Sequence, residues 1–210
     1  MAIEKKGMMF VLSSPSGAGK TTLTRKLAEP DTNFSISISY TTRKPRLNEI
    51  NGKDYYFVSK GEFEVLIKGN NFFEYANIFY NLYGTLKKPV LELLSHGKDV
   101  LFDIDWQGTK QLKNTENLSL VTFFILPPNL KVLKERLLNR HKGKENLVEE
   151  RMNKFNEELS HWNQYNYVVT NDDLNICYEK IKSIIASEKK GISQNQNYKE
   201  IKKKVEELIK

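Results

Sequence analysis

Met8-Met9-Phe10-Val11-Leu12-Ser13-Ser14-Pro15-Ser16-Gly17-Ala18-Gly19-Lys20-Thr21 is the stretch that decides the architecture. Met8–Ser13 is an apolar run of strand length, the pattern of a strand buried on both faces. The following Ser14–Lys20 is too rich in Gly, Ser and Pro to be strand or helix. From Lys20 the sequence turns helical, with Leu23 and Leu27 four apart and Pro30 as the stop. A turn of this composition between a buried strand and a helix start is a phosphate cradle. Backbone N–H groups and the helix N-terminus meet the phosphate charge, and glycines let the backbone come close.

On that reading Ser14, Pro15, Ser16, Gly17, Ala18, Gly19, Lys20 and Thr21 bind a nucleoside triphosphate. Lys20 bridges the β- and γ-phosphates, and the Thr21 hydroxyl ligates Mg²⁺. The plain alternative is a Gly/Ser turn with an incidental lysine, which the buried strand and the paired glycines disfavour. Ser14 stands where the pattern G-x-x-x-x-G-K-[ST] has its first glycine. If that position needs φ > 0, serine costs roughly 1 kcal/mol.

Outward from this unit, three more apolar runs repeat the buried-strand pattern: Val100–Ile104, Leu120–Leu126 and Tyr167–Thr170. Helical stretches are expected over Asn129–Asn139, Leu147–Trp162 and Leu174–Ser187. Strands alternating with helices mean an α/β fold with a parallel-sheet core. Between Phe34 and Tyr83 the texture changes to short alternating, aromatic-rich pieces (FSISIS, DYYFV, FFEYANIF) around turn signals such as Asn51-Gly52. These predict a small mixed or antiparallel lobe inserted into the core. Beyond Ser187 the chain is polar and Lys-rich, with SQNQN as a linker. Tyr198, Ile201, Val205 and Leu208 are spaced as one helical stripe, which suits a terminal helix lying on the domain, with a partner or dimer contact as the alternative.

Composition bounds the function classes. A chain of 210 residues with 39% hydrophobic and 28% charged content suits one globular domain with a core. Thirty-three Lys+Arg against 26 Asp+Glu leave a net charge of +7, which favours an anionic partner. The single cysteine, Cys177, excludes an internal disulfide and a Cys-cluster metal site, and His96, His141 and His161 are too dispersed for a His-based zinc site. No run approaches the ~20 apolar residues of a membrane span, and no signal peptide is recognised, so a cytoplasmic protein is expected.

Two further stretches concentrate chemistry. Val100–Ile104 runs into Asp103, Asp105, Trp106, Gln107 and Gly108, and carboxylates at such a strand end face the ligand crevice of open α/β sheets. Asp103, inside an apolar strand, favours a site role, whereas Asp105 is equally suited to capping the next helix. Ser39-Tyr40-Thr41-Thr42-Arg43-Lys44-Pro45-Arg46 gathers hydroxyls and guanidiniums, the groups that grip a phosphate monoester.

With these in hand, the chain resembles the guanylate kinase family from about Gly7 to Ser187. The resemblance rests on SPSGAGKTT, SYTTRKPR, NGKDYYF, FFEYA, YGT, DIDWQG and NDDL in order, with DIDWQG closest to bacterial members. It implies a P-loop nucleoside monophosphate kinase fold with helices on both faces of the sheet, spanning 7–187. The core is expected over 7–33, 86–128 and 164–187, a GMP-binding lobe over 34–85, a helical lid over about 136–155, and the tail over 188–210. The implied reaction moves the γ-phosphoryl of ATP to GMP, giving ADP and GDP, with Mg²⁺.

By the same resemblance Ser39, Arg43, Arg46, Tyr55 and Tyr83 hold the GMP phosphate, and Asp105 joins the GMP site. Glu74 and Thr85 read guanine. Arg136, Arg140 and Arg151 come from the lid over ATP, Asn171 lies near adenine, and Thr21 with Asp103 (through water) serves the metal. Lys20, Arg43, Arg140 and Arg151 carry the catalysis. The chemistry agrees: a carboxylate accepts from guanine N1–H and the 2-amino group, donors that adenine lacks, and such polar pairing can discriminate by ~10⁴-fold or more. The lid departs from the family pattern, with Asn139 and His141 where glycine is usual. His141 is expected to be exposed.

Other readings fit the same residues less well. A kinase for another base or for a ribose phosphate fits Glu74 and Thr85 poorly. A non-catalytic peptide-binding module fits the retained Lys20 and Thr21 poorly. A main role in nucleic-acid binding lacks any module or basic cluster, and a membrane partner is not expected. The oligomeric state is open between monomer and homodimer, and dGMP stays open as a second acceptor.

Overall fold

A computed structural model describes residues 6–29, 33–141 and 143–209. Pro30, the expected stop of the first helix, and Lys142 of the expected lid lie outside them. The chain opens with strand β1 (Met9–Ser13) and helix α1 (Lys20–Ala28), then strands β2 (Phe34–Ile36), β3 (Tyr40–Thr41) and β4 (Tyr56–Phe57). Helix α2 (Lys60–Lys68) precedes a hairpin of β5 (Phe72–Ile78) and β6 (Asn81–Leu86). Next come α3 (Lys87–Ser95), β7 (Asp99–Asp103), α4 (Trp106–Lys113) and β8 (Leu120–Leu126). Helices α5 (Leu130–Arg140), α6 (Glu145–Asn153) and α7 (Phe155–Ser160) lead to β9 (Tyr167–Thr170), α8 (Leu174–Glu188) and α9 (Tyr198–Ile209).

A five-stranded sheet has the order β2-β7-β1-β8-β9, and a second, four-stranded sheet the order β4-β3-β6-β5. The described residues form two compact units, 6–10 with 33–120, and 11–29 with 121–141 and 143–209. β1 contributes residues to both.

In the first unit β2 pairs parallel with β7, Phe34 opposite Asp99 and Ile36 opposite Leu101. The FSISIS piece therefore begins in the parallel sheet rather than in the lobe, and the second sheet begins at Tyr40. Two contacts account for that. Phe34 meets the buried Phe10 ring edge-on at 6.0 Å. The buried Asp99 carboxylate accepts from Met8 N–H at 2.9 Å and from Asn33 Nδ2 at 3.0 Å, so its charge is compensated where the strands start. Helix α2 was not expected among the short alternating pieces. It is nucleated by a capping box, in which Ser59 Oγ accepts from Glu62 N–H and Glu62 Oε2 accepts from Ser59 N–H.

In the second unit β8 pairs parallel with β9, from Phe123 opposite Tyr167 to Leu126 opposite Thr170. Its core joins Phe124, Leu126, Leu133, Leu137, Val148, Phe155 and Leu159 to Val205 and Leu208 of α9. The helix expected over Leu147–Trp162 is divided at Lys154 into α6 and α7, and both halves contribute to this same core. In α9, Val205 and Leu208 are buried, Ile201 packs partly buried beside them, and Tyr198 lies 6.2 Å from the Trp162 ring.

The stretch before α9 is pinned as well. Gln196 accepts from Val168 N–H at 2.8 Å and donates Nε2–H to Val168 O at 3.0 Å, occupying the free edge of β9 as another strand would. Leu208→Ala, which empties a position 2% exposed, should cost about 2–4 kcal/mol in urea unfolding. Lys203→Ala on the outer face of α9 should stay within about 0.5 kcal/mol.

Candidate active site

Each unit carries its own cluster of candidate residues. In the second, β1 is buried along its whole length and delivers the chain to a turn in which Gly17 has φ +91° and Gly19 φ +104°. Only glycine adopts these values without strain. Gly19 is also the N-cap of α1. No side-chain hydrogen bond caps that helix and no acidic residue stands in its first turn, the arrangement that suits an anion at a helix start. Ser14 does not share the left-handed backbone of the two glycines, so the expected strain at the first glycine position is absent.

The loop is held from behind at close range. A Cβ on Gly17 would meet Leu137 Cγ at 3.0 Å, and one on Gly19 would meet Asn171 Nδ2 at 2.3 Å. Asn171, 2% exposed, donates Nδ2–H to Ala18 O at 2.7 Å. Its Nδ2–H is thus committed to the loop backbone, while its buried Oδ1 has no hydrogen-bond partner among the described residues. Arg136 donates to Ala18 O at 3.4 Å and to Asn171 O at 3.3 Å. Arg151 hydrogen-bonds Ser16 Oγ, and Glu158 Oε2 accepts from Ser16 N–H at 2.8 Å.

Of the three expected lid arginines, two therefore reach the loop. Arg140 is exposed at the C-terminal end of α5, its side chain making no hydrogen bond or ion pair among the described residues. Lys20 and Thr21 are half-buried in the first turn of α1. Asn139 lies within α5, and His141, half-buried rather than exposed, closes it with φ −121°. Neither needs glycine's freedom, and the left-handed residue is Gly143 at φ +74°.

The first unit carries a second cluster, on and around the four-stranded sheet. Arg43 donates Nε–H to Tyr83 Oη at 3.1 Å, and its guanidinium stands 5.5 Å from the Tyr55 ring centre and 5.8 Å from that of Phe57. Glu49 Oε1 takes Arg43 Nη2 at 2.9 Å and Arg46 Nη1 at 3.3 Å, while its Oε2 accepts from Arg46 N–H at 2.8 Å. Glu74 and Thr85 are directly opposite on β5 and β6, 3% and 1% exposed. The buried Ser39 hydroxyl lies 3.2 Å from that of Thr85. Sheet register thus gathers Ser39, Glu74 and Thr85, and separately Arg43, Arg46, Tyr55 and Tyr83.

Asp103 ends β7, half-buried. Asp105 caps α4, with Oδ1 accepting from Gly108 N–H at 3.0 Å and Oδ2 from Gln107 at 3.1 Å. Cys177 is buried, and burial pushes its thiol up to about 12, so it offers no thiolate nucleophile. Among the described residues no helix is long and apolar enough to span a membrane, and no three His, Cys, Asp or Glu side chains converge on a metal-sized site.

Glu49 and Glu158 were not singled out from sequence. Glu49 follows Arg46 by three residues, a readable charge pairing. Glu158 lies 142 residues from its partner Ser16, and nothing local marks it. Partial burial opposes the charged form of Glu49, but hydrogen bonds from Arg43 and Arg46 and their positive charge outweigh it, holding the carboxyl below its usual range. Burial likewise disfavours the Arg43 cation, and the Glu49 and Tyr83 contacts more than reverse this.

A buried strand, a left-handed glycine turn and a helix start with arginines drawn to the turn define a P-loop phosphotransferase. The guanylate kinase family model matches residues 6–188. A guanylate kinase of Novosphingobium aromaticivorans is 48% identical over 188 residues, covering 90% of this chain and 85% of its own. One of Rickettsia bellii is 51% identical over 187 residues, covering 89% and 97%. The crystal structure of guanylate kinase from Anaplasma phagocytophilum superposes with a TM-score of 0.73 at 33% identity, covering 89% of this chain and 88% of that one. The chain belongs to the guanylate kinase family.

The depressed Glu49 carboxyl sets a pH signature. Its contribution to stability is full above the ordinary glutamate value of about 4.3 and is lost as pH falls through the lower folded value. Glu49→Gln should therefore be less stable than the parent at pH 7, with the gap closing only below about pH 4.3 in stepped-pH urea unfolding. A gap that stayed constant down to acid would refute the Arg43–Glu49–Arg46 linkage.

Proposed function

We propose that the protein phosphorylates GMP to GDP at the expense of ATP, by in-line transfer of the γ-phosphoryl group. The observation that carries this reading is the buried Glu74 opposite Thr85, on the same sheet as the Arg43–Tyr83 anion grip. A carboxylate fixed there accepts from N1–H and the 2-amino group of guanine, and the Thr85 hydroxyl donates to O6. AMP offers neither donor and would leave a buried carboxylate unsatisfied. Ser39, Arg43, Arg46, Tyr55 and Tyr83 hold the acceptor phosphate, with Asp105 alongside the GMP site.

Residues Ser14–Thr21 hold ATP. Lys20, Arg136, Arg140 and Arg151 oppose the charge that develops on the transferred group, and Arg43 offsets repulsion between the two anionic reactants. Asn171 supports the loop from behind through Ala18. The acceptor phosphate oxygen is itself the nucleophile, so no protein base is required.

The residues present suit Mg²⁺. It prefers hard oxygen donors and keeps several waters while taking the rest of its shell from substrate phosphates. The Thr21 hydroxyl would be one such donor and Asp103 would act through water, each from its own unit, and the ion would supply charge neutralisation to the phosphates. GMP meets ATP in the cytoplasm, and that is the expected site of action.

The test is an ADP-release assay with GMP, AMP, UMP and CMP in parallel. GMP should exceed each of the others by ~10⁴-fold in kcat/KM, and Lys20→Ala should lose at least ~10²-fold of turnover. Equal rates with AMP would overturn the guanine assignment, and undiminished turnover in Lys20→Ala the assignment of the loop.

A further inference from the structure

Strand β5, which carries Glu74, is the outer strand of its sheet, so its outward backbone groups have no neighbouring strand. At Tyr75, the residue after Glu74, they are met by one side chain. Tyr75 N–H donates to Gln111 Oε1 at 3.1 Å, and Gln111 Nε2 donates to Tyr75 O at 2.7 Å. Gln111 Nε2 also approaches Gln107 O of its own helix at 3.4 Å. The Tyr75 side chain itself faces solvent, 42% exposed, so the clamp acts on the backbone.

The same helix touches the carboxylate directly. Gly108 is buried, and a Cβ there would stand 2.4 Å from Glu74 Oε2 and 3.0 Å from its Cδ. Only a residue without a side chain lets α4 approach this closely. Asp105, Gly108 and Gln111 are three apart and share one face of α4, and the Asp105 cap on Gly108 N–H fixes where that face begins.

We infer that α4 acts as a ruler for purine recognition: Gln111 is a positioning residue that holds β5 at Tyr75, and Gly108 sets the depth at which the Glu74 carboxylate stops. The inference rests on the reading of Glu74 as the group that accepts from guanine. Bidentate acceptance from N1–H and the 2-amino group tolerates little displacement, because both bonds depend on one carboxylate lying in the plane of the base. Letting β5 slide by a fraction of an ångström weakens both, whereas the phosphate grip on Arg43 and Arg46 is untouched. Loss of the clamp therefore appears in base selectivity rather than in ATP use.

The experiment compares the parent with Gln111→Met, which keeps the length of the side chain and removes both bonds. Kinetics are read for GMP and for IMP, which lacks the 2-amino group, at saturating ATP, together with backbone amide exchange at Tyr75. Gln111→Met should raise KM for GMP roughly tenfold and shrink the GMP-over-IMP preference by a similar factor, leaving KM for ATP within about twofold. Gly108→Ala should lower the same preference further. In the parent protein, which needs no substitution, GMP should slow exchange of the Tyr75 amide and ATP alone should not.

Unchanged GMP kinetics and an unchanged GMP-over-IMP ratio in Gln111→Met overturn the inference, as does a Tyr75 amide indifferent to GMP. Glu74→Gln separates the two levels. If it abolishes the preference while Gln111→Met spares it, the ruler fails and the guanine reading stands. If Glu74→Gln leaves the preference intact, both fall.

Discussion

Phosphate groups carry more charge than a protein can host unless fixed donors already point at them, and each of the two proposed phosphate grips is built to that requirement. In one the donors are backbone. Gly17 and Gly19 take left-handed φ values of +91° and +104°, and α1 begins with neither a side-chain capping bond nor an acidic residue in its first turn. In the other the donors are guanidiniums. Arg43 and Arg46 are kept in place by the shared Glu49 carboxylate, which offsets their mutual repulsion. Preorganised charge of this kind costs little reorganisation when ligand arrives.

Such donors are only as good as their backing. Behind the glycine turn stand Leu133 and Leu137 of α5, close enough that a methyl group on Gly17 would collide with them. The same core includes Val205 and Leu208 of α9, beyond the stretch that matches the family model. Two outer strands are closed by the same economical device, a glutamine amide that both accepts and donates: Gln196 on Val168 of β9, and Gln111 on Tyr75 of β5. In each case a side chain satisfies backbone groups that a further strand would otherwise claim.

How much of this was legible depended on how local the physical cause was. Leu120–Leu126 and Tyr167–Thr170 are strands over the expected residues because an unbroken apolar run has no other comfortable state in a parallel sheet. The cradle was legible for the same reason, since strand, glycines and Lys20 are contiguous. Helix α2 is masked by the aromatic density around it, although Ser59 and Glu62 form a readable capping box. Strand β2 was assigned to the lobe, since the contacts that hold it, Phe34 on Phe10 and Asn33 on Asp99, are distant in sequence. Non-local partners hid Glu158 and Gln111 likewise. Ser14 shows the opposite failing, a departure from pattern that carries no backbone strain.

The central claim is that guanosine monophosphate and adenosine triphosphate are held by separate, independently formed grips. Amide hydrogen exchange on the intact protein tests it most directly. GMP alone should slow exchange across residues 39–57 and 72–86 while leaving 16–21 unchanged, and ATP with Mg²⁺ should do the reverse. Protection of 16–21 by GMP alone, with 39–57 indifferent to it, would contradict the account.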